Sequence, residues 1–201
     1  LNHPEFPTNG SDFSWDMTYS GGFLGGIENF IKNIFSFNWY VKISEKMTLA
    51  NKIKFGDITK TSENSIIPHQ RYFMMGGSGI PNGEMLRGYP ENSIGPYYYE
   101  SNYPIGGKIL SRFSLEYRVL LSEMPTMFGF VFADAGNVWS GYDFVDPFDL
   151  KRSCGIGIRL FMPMLGLIGY DIGYGFDPSS YGDGNTPWGW DHHLIFGTTF
   201  N

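Results

Sequence analysis

The segment "ILSRFSLEYRVLL", residues 109–121, decides the fold class, because its side chains alternate between two chemistries. Odd-numbered positions from residue 113 onward are apolar, and even-numbered positions from 112 to 118 are polar or charged. The apolar set is Phe113, Leu115, Tyr117, Val119 and Leu121, and the polar set is Arg112, Ser114, Glu116 and Arg118. A period of two residues indicates a β-strand with one apolar and one polar face.

Seven further segments repeat this alternation, so the sequence predicts an all-β protein. The eight predicted strands cover residues 12–20, 31–43, 47–55, 109–121, 127–138, 153–162, 167–176 and 190–200. Asn33, Ile34 and Asn51 break the pattern. The composition agrees, since 18% of the residues are aromatic and 27 are glycine. Aromatic side chains favour strands, and glycine favours turns.

The connections between these strands alternate in length. Short turns follow residue 43, precede residue 127 and follow residue 162, whereas loops rich in Gly, Asp and Pro cover residues 20–28, about 57–106, 139–152 and 177–189. Bacterial outer-membrane barrels have short periplasmic turns and longer extracellular loops, joining strands of about ten alternating residues. The predicted fold is therefore an antiparallel transmembrane β-barrel.

A soluble β-sandwich or barrel would also alternate, with its apolar face in a core. Two features of the strands favour the membrane barrel. The polar faces carry ionisable residues at mid-strand, and the apolar faces carry Trp and Tyr toward the strand ends, as an aromatic girdle does. The ionisable residues are Lys42, Lys52, Glu116, Arg159 and Asp171, and the aromatic residues are Trp15, Tyr19, Trp39 and Trp190.

The size of the longest loop indicates a wide barrel. An eight-stranded barrel has an interior just wide enough for its own side chains. This chain has a loop of about 50 residues and a polar face rich in Lys, Arg, Tyr and Phe. We therefore expect half of a larger barrel, whose earlier strands are missing from the chain or supplied by another copy. Leu1 follows no cationic, apolar leader, which indicates a processed or excised piece.

Composition and motifs argue against several classes of function. The net charge of −6 disfavours a nucleic-acid partner. Cys154 is the only cysteine, so neither an intrachain disulfide nor a zinc site of the usual spacing is available. His192 and His193 are adjacent on a predicted strand and face opposite sides, so they cannot share a metal. With no hydrolase or nucleotide-binding motif either, we expect no catalytic residue, cofactor or metal.

The longest loop carries the most specific motif. Residues 71–96 read "RYFMMGGSGIPNGEMLRGYPENSIGP", which resembles the sixth extracellular loop of the BamA-like outer-membrane protein assembly family. Leu86, Arg87, Gly88 and Tyr89 match the family's Val-Arg-Gly-Phe/Tyr hallmark, with a conservative change at its first position. Further ordered matches to the family lie at residues 5–14, 76–78, 94–96, 114–117, 132–139 and 192–200.

The resemblance implies the C-terminal half of a barrel of about 16 strands, with the loop folded back into the lumen. The implied loop motif is Leu86, Arg87, Gly88 and Tyr89, and the implied anchoring wall is Glu116, Phe132, Asp134 and Gly136. Arg87 would pair with the two wall carboxylates, because a guanidinium is always charged and forks onto carboxylates with fixed geometry. Parity agrees independently, since Glu116 lies on the polar face of its strand. Gly88 would permit close backbone approach, and Tyr89 would pack against Phe132 or its neighbours.

The last predicted strand resembles the family's closing strand, with Phe196, Gly197 and Phe200 at an implied lateral seam. Glycine in a strand interior weakens pairing and bends the edge. An unpaired edge is a template for an incoming strand. Asn201 departs from the family's usual aromatic terminus.

The resemblance further implies that the protein folds and inserts β-barrel proteins into the outer membrane of a diderm bacterium, through this seam and without covalent chemistry. The implied partners are the lipid bilayer, client barrels and accessory lipoproteins, while the family's N-terminal strands and periplasmic repeats are absent from this chain. Two alternatives stay open. One is a two-partner-type secretion pore for an unfolded polypeptide, and the other is a structural barrel or the membrane anchor of an upstream lipase-like domain.

Overall fold

The computed structural model describes residues 6–22, 25, 28–63, 65–79, 83–98, 103–162, 166–181 and 185–197. Its strands are β1 (Gly10–Ser20), β2 (Phe30–Ser44), β3 (Met47–Lys60), β4 (Tyr97–Tyr98), β5 (Tyr103–Pro104), β6 (Ile109–Glu123), β7 (Thr126–Trp139), β8 (Lys151–Met162), β9 (Gly166–Gly175) and β10 (Gly189–Gly197). Short 3-10 turns lie at His69–Arg71 and Tyr142–Phe144. Over this part of the chain, no helix has the length and apolarity needed to cross a bilayer.

Eight strands form one sheet in the order β1-β2-β3-β6-β7-β8-β9-β10. Every neighbouring pair in this sheet is antiparallel, so the sheet is a meander whose two edge strands are β1 and β10. β4 and β5 pair with each other inside the connection between β3 and β6. The predicted all-β class, with eight long antiparallel strands at the predicted positions, is confirmed.

The register of the sheet keeps the two kinds of side chain on separate faces. Leu115 on β6 lies opposite Ala133 on β7, and Glu116 lies opposite Phe132. One face, called the outer face below, is apolar and exposed, as a lipid-facing surface is. Its exposed members include Phe13, Trp15, Phe35, Phe55, Leu115, Val131, Ile156, Trp190 and Leu194.

The inner face is polar in its middle and apolar near the long connections. Its buried polar side chains include Arg112, Ser114, Glu116, Arg118, Asp134, Arg159 and Asp171. At the apolar end lies a buried cluster of Phe30, Ile58, Ile67, Phe73, Met75, Leu86, Tyr89, Ile94, Leu110 and Val138. More than half of this upper cluster comes from the connection between β3 and β6. That connection therefore packs against the inner face of the sheet.

β3 is longer than its alternation predicted. It continues to Lys60, which lies opposite Phe30 on β2, so the connection to β6 covers residues 61–108 instead of about 57–106. The alternation in the sequence ends early because the inner face changes from polar to apolar at this point. The ring of Phe73 from the loop occupies the space where a side chain at Gly56 would stand, and the inward Ile58 joins the upper cluster.

The two exceptions at the start of β2 also have a structural reason. Asn33 faces outward, where its amide donates to Asp57 at 3.2 Å and accepts from the Trp15 indole N–H at 3.2 Å. Ile34 faces inward and packs against the upper cluster. Both residues therefore fit a strand whose inner face becomes apolar toward the loop.

Candidate functional site

Arg87 lies in the long connection and is fully buried against the inner face of β6 and β7. Its Nε and Nη2 donate to the two carboxylate oxygens of Asp134, at 2.7 and 2.8 Å. Its Nη1 donates to Glu116 Oε1 at 2.7 Å, and Nη2 also donates to Ser114 Oγ at 3.0 Å. The guanidinium thus forks onto one carboxylate and reaches a second, which a compact ammonium cannot reproduce.

Arg118 and Ser114 complete the network around the two carboxylates. Arg118 donates to Glu116 Oε2 through Nε at 2.8 Å and Nη2 at 2.6 Å. Ser114 Oγ donates to Asp134 Oδ1 at 2.6 Å. Two arginines therefore hydrogen-bond to two carboxylates. This group of Arg87, Ser114, Glu116, Arg118 and Asp134 is called the clasp below; because it is buried, removing one member leaves a charge without its partner.

Two phenylalanines of β7 form an aromatic floor under the clasp. The Cζ atom of Arg87 lies 3.8 Å from the centroid of the Phe132 ring and 5.4 Å from that of Phe130. A cation over an aromatic face is attracted by the negative face of the ring. Arg159 lies 4.8 Å from the Phe130 centroid and forms a separate buried pair with Asp171, with Nη2 and Oδ2 2.7 Å apart. The inner wall therefore carries two arginine–carboxylate pairs that share one aromatic ring.

Gly88 lies directly against the backbone of β9. Its φ is +82°, and a Cβ atom there would come within 3.1 Å of backbone atoms of Gly173, Tyr174 and Gly175. Conversely, a Cβ atom at Gly173 would lie 2.7 Å from the Gly88 nitrogen. Glycine on both sides is what permits this approach of two backbones. Gly173 and Gly175 of β9 thus leave the space that Gly88 occupies, and these two residues are called the glycine seat below.

Tyr89 belongs to the upper cluster. The sequence predicts that it packs against Phe132 or its neighbours, and Phe132 itself belongs to a second cluster with Phe6, Phe128 and Phe130. The Tyr89 hydroxyl donates to the carbonyl oxygen of Arg152 at 2.7 Å and accepts from the backbone N–H of Asp177 at 3.1 Å. Burial raises the pKa of Tyr89 above its usual value, so the hydroxyl stays a donor at physiological pH.

Leu86 and Gly136 contribute packing around the motif. Leu86 is fully buried in the upper cluster, and its backbone N–H donates to the carbonyl oxygen of Gly77 at 3.2 Å. Gly136 lies opposite Arg112 on the inner face, where a Cβ atom would come within 2.9 Å of the Met75 sulfur. Gly136 therefore makes room for the Met75 side chain of the loop.

The loop is also held by groups that sequence reasoning missed. The carboxylate of Glu91 accepts from the backbone N–H groups of Ser78 at 2.6 Å and Gly79 at 3.0 Å. From the connection after β9, the Ser180 N–H donates to Ser93 O at 2.8 Å and its hydroxyl donates to Gly95 O at 2.9 Å. No spacing rule predicts such contacts, because they depend on the path of the loop. Arg118 did have a local signal, because it lies two residues after Glu116 and therefore faces the same side of the strand.

Two of the three predicted seam residues, Phe196 and Gly197, lie at the end of β10. Phe196 is exposed on the outer face, and Gly197 lies opposite Leu167 on β9. Phe200 lies outside the described residues. Within the described strands, β10 pairs only with β9. His192 faces outward, with Nδ1 2.8 Å from the Tyr170 hydroxyl oxygen.

Comparisons with known proteins agree with this architecture. The Omp85 superfamily domain matches residues 1–197. Over 180 residues the chain is 27% identical to the outer membrane protein assembly factor BamA of Nitratidesulfovibrio vulgaris, covering 89% of this chain and 22% of that protein. The fold is similar to the crystal structure of BamA from Haemophilus ducreyi lacking POTRA domains 1-3, with a TM-score of 0.70 and 22% identity. That match covers 97% of this chain and 40% of the other, so the chain spans less than half of either relative.

Proposed function

Because the chain belongs to the Omp85 superfamily and is an outer-membrane protein, we propose that it takes part in folding and inserting β-barrel proteins into the outer membrane of a diderm bacterium. The observation that carries this proposal is the clasp, which holds a long loop on the inner face of the sheet. No covalent bond is made or broken in the proposed process. The protein acts through strand pairing and through its effect on the bilayer.

The proposed client site is the free edge of β10. An edge strand presents a row of unpaired N–H and C=O groups, and an extended segment can add to it as a further strand. The loop is attached to β6 and β7 through Arg87 and lies against β9 through Gly88. It would therefore keep these strands in register while β10 exchanges partners. Gly197 supports this role, because glycine weakens the pairing of a strand end. Phe196 would then face the lipid beside an inserted client strand.

A secretion pore is less well supported by the contacts of the loop. Arg87 and Tyr89 are fully buried on the inner face, so a polypeptide passing along this face would have to displace them. Stranding the buried charges of the clasp would cost about 3 to 5 kcal/mol. Templating at the β10 edge needs no such displacement. Strand addition is therefore the favoured mode of action.

The remaining parts of the proposal follow the family resemblance. The intact barrel would have about 16 strands, with residues 61–108 as the loop inside its lumen. Periplasmic repeats would precede the barrel in the complete protein. Client barrels and accessory lipoproteins would be the protein partners, and the lipid bilayer would contact the apolar outer face.

Reconstitution in liposomes tests the proposal directly. The intact protein that carries this chain is incorporated, an unfolded client barrel is added, and the appearance of heat-resistant client is followed by electrophoresis without heating. We expect faster client folding than in empty liposomes and a loss of this effect in Arg87→Ala. Current through planar bilayers is measured in parallel. A large open conductance without faster client insertion would favour the secretion pore instead.

A further inference from the structure

His193 connects the loop motif to the last described strand. It lies on the inner face of β10 and is buried, with 5% of its surface exposed. Its Nε2 lies 2.9 Å from the backbone nitrogen of Gly88. A backbone N–H can only donate, so Nε2 is the acceptor and the neutral imidazole carries its proton on Nδ1. One hydrogen bond thus joins groups that are 105 residues apart in sequence.

The donor side of this bond is fixed by the clasp and the glycine seat. Gly88 follows Arg87, whose guanidinium is held on β6 and β7 by charge-assisted bonds. The Gly88 backbone itself lies against Gly173 of β9. Because the peptide plane is held on two sides, its N–H points in a defined direction toward β10.

The acceptor side is fixed by the register of the last three strands. His193 lies opposite Asp171 on β9. Asp171 is fully buried and paired with Arg159 on β8. The imidazole is thus attached to an edge strand whose neighbours are already tied together. Its bond to Gly88 adds a direct link from that edge strand to the loop, independent of the β9–β10 ladder.

We propose that His193 is a positioning residue that couples the loop motif to the edge strand β10. This inference rests on the proposed function, in which β10 is the strand that a client pairs with. If β10 moved outward, the bond would break and the buried Gly88 N–H would lose its acceptor, which is unfavourable for a backbone donor. The bond therefore favours the inward position of β10. Loop conformation and edge position are linked through this side chain.

The chain offers matched variants for a test. His193→Leu removes the acceptor and keeps a bulky side chain. His193→Gln keeps an acceptor at similar reach, whereas His193→Asn has the same chemistry on a side chain one methylene shorter. His192→Leu makes the same change at the adjacent position on the outer face of the same strand. If the leucine variant at 193 fails to fold, the Gln and Asn pair carries the comparison.

Two measurements on the intact protein distinguish whether the Gly88–His193 hydrogen bond exists from whether it affects client insertion. Hydrogen–deuterium exchange followed by mass spectrometry reports on the Gly88 amide, and client insertion in liposomes reports on function. We expect His193→Leu and His193→Asn to speed exchange at Gly88 about tenfold, the loss of one hydrogen bond, and to slow client insertion severalfold. His193→Gln and His192→Leu should behave like the wild type in both assays.

Each contrary outcome has a distinct meaning. Unchanged exchange at Gly88 in His193→Leu would overturn the contact. Faster exchange with unchanged client insertion would overturn the positioning role while leaving the contact in place. A wild-type protein that inserts no client would refute the proposed function and the role together, and the exchange data would still establish whether the contact exists.

Discussion

Two arginine–aspartate pairs in this protein have similar geometry and different surroundings. Arg87 donates to Asp134 through Nε and Nη2 at 2.7 and 2.8 Å. Arg152 donates to Asp177 through the same two nitrogens at 3.1 and 2.9 Å. Both side chains of the first pair are 0% exposed, whereas the Arg152 side chain is 66% exposed and that of Asp177 is 19% exposed. The first pair lies in the clasp, and the second lies where β8 begins and β9 has ended.

The comparison shows that geometry alone does not decide what an ion pair does. Water solvates each partner of the exposed pair when the pair breaks, so its net contribution to stability is small. Neither partner of the buried pair has that alternative, so breaking it leaves a stranded charge. Of the two pairs, the one in the clasp is therefore the one that holds the loop, and the exposed pair only links the start of β8 to the chain after β9. The predictions below test this difference.

The largest effect is expected from Arg87→Ala. Removal of the guanidinium leaves Asp134 and Glu116 buried with one fewer cation, at a cost of about 3 to 5 kcal/mol of folding free energy. The heat-resistant folded fraction in electrophoresis without heating should fall, and function in cells should be impaired. Arg87→Lys should recover only part of the loss, because an ammonium cannot fork onto Asp134. Normal gel mobility and growth of the alanine variant would contradict the clasp.

Asp134→Asn should have a smaller effect of about 2 to 3 kcal/mol, because the amide keeps one acceptor for Arg87 while the charge is lost. Thermal unfolding of the purified barrel, followed by the gel shift, measures it. Asp177→Asn is the matched control, since it makes the same change in the exposed pair and should leave the transition unchanged. Equal effects of the two substitutions would remove the distinction between the pairs.

Local signals in the sequence point to the buried pair, whereas most of its surroundings carry no such signal. Alternation placed Glu116 on an inner face, and the motif around Arg87 pointed to that wall, because both signals are local. The packing of Tyr89 in the upper cluster has no local signal in the sequence, because it depends on the left-handed turn of the chain at Gly88. The contact of Gly88 with His193 could not be read from the sequence, since it depends on the register of strands more than 100 residues away.

Gly173→Ala tests the glycine seat and leaves the charged residues of the clasp unchanged. A Cβ atom at Gly173 would lie 2.7 Å from the Gly88 nitrogen and 2.8 Å from its Cα, so loop or strand must shift, at a cost of about 1 to 3 kcal/mol. Gly129→Ala is the matched control, because the nearest atom to its Cβ would be 3.7 Å away. We expect a lower heat-resistant fraction for Gly173→Ala only. If both variants unfold like the wild type, the close approach of Gly88 to β9 does not contribute to holding the loop.

Arg152→Ala should have little effect, in contrast to Arg87→Ala. Its guanidinium is mostly in water, and an exposed ion pair gains little over two solvated ions. We expect the same heat-resistant fraction and the same unfolding temperature as for the wild type, at low and at high salt. A loss comparable to that of Arg87→Ala would mean that the exposed pair holds the strand ends as firmly as the clasp holds the loop.

The smallest expected effect is a shift in the titration of Asp177. Its partial burial would raise the pKa of this carboxyl, but hydrogen bonds from the side chain and backbone N–H of Arg152 outweigh burial and hold the pKa below its usual value. A depressed pKa in the folded state stabilises the fold above the ordinary carboxyl value of about 3.9, and this contribution is lost as the pH falls through the folded-state value. The Arg152 backbone N–H donates to Asp177 Oδ2 at 2.7 Å, so its proton NMR shift reports the titration. The midpoint should lie below about 3.9 and rise when Arg152 is replaced by alanine or when added salt screens the pair; a midpoint at or above that value in the wild type would show that solvent has already cancelled the pairing.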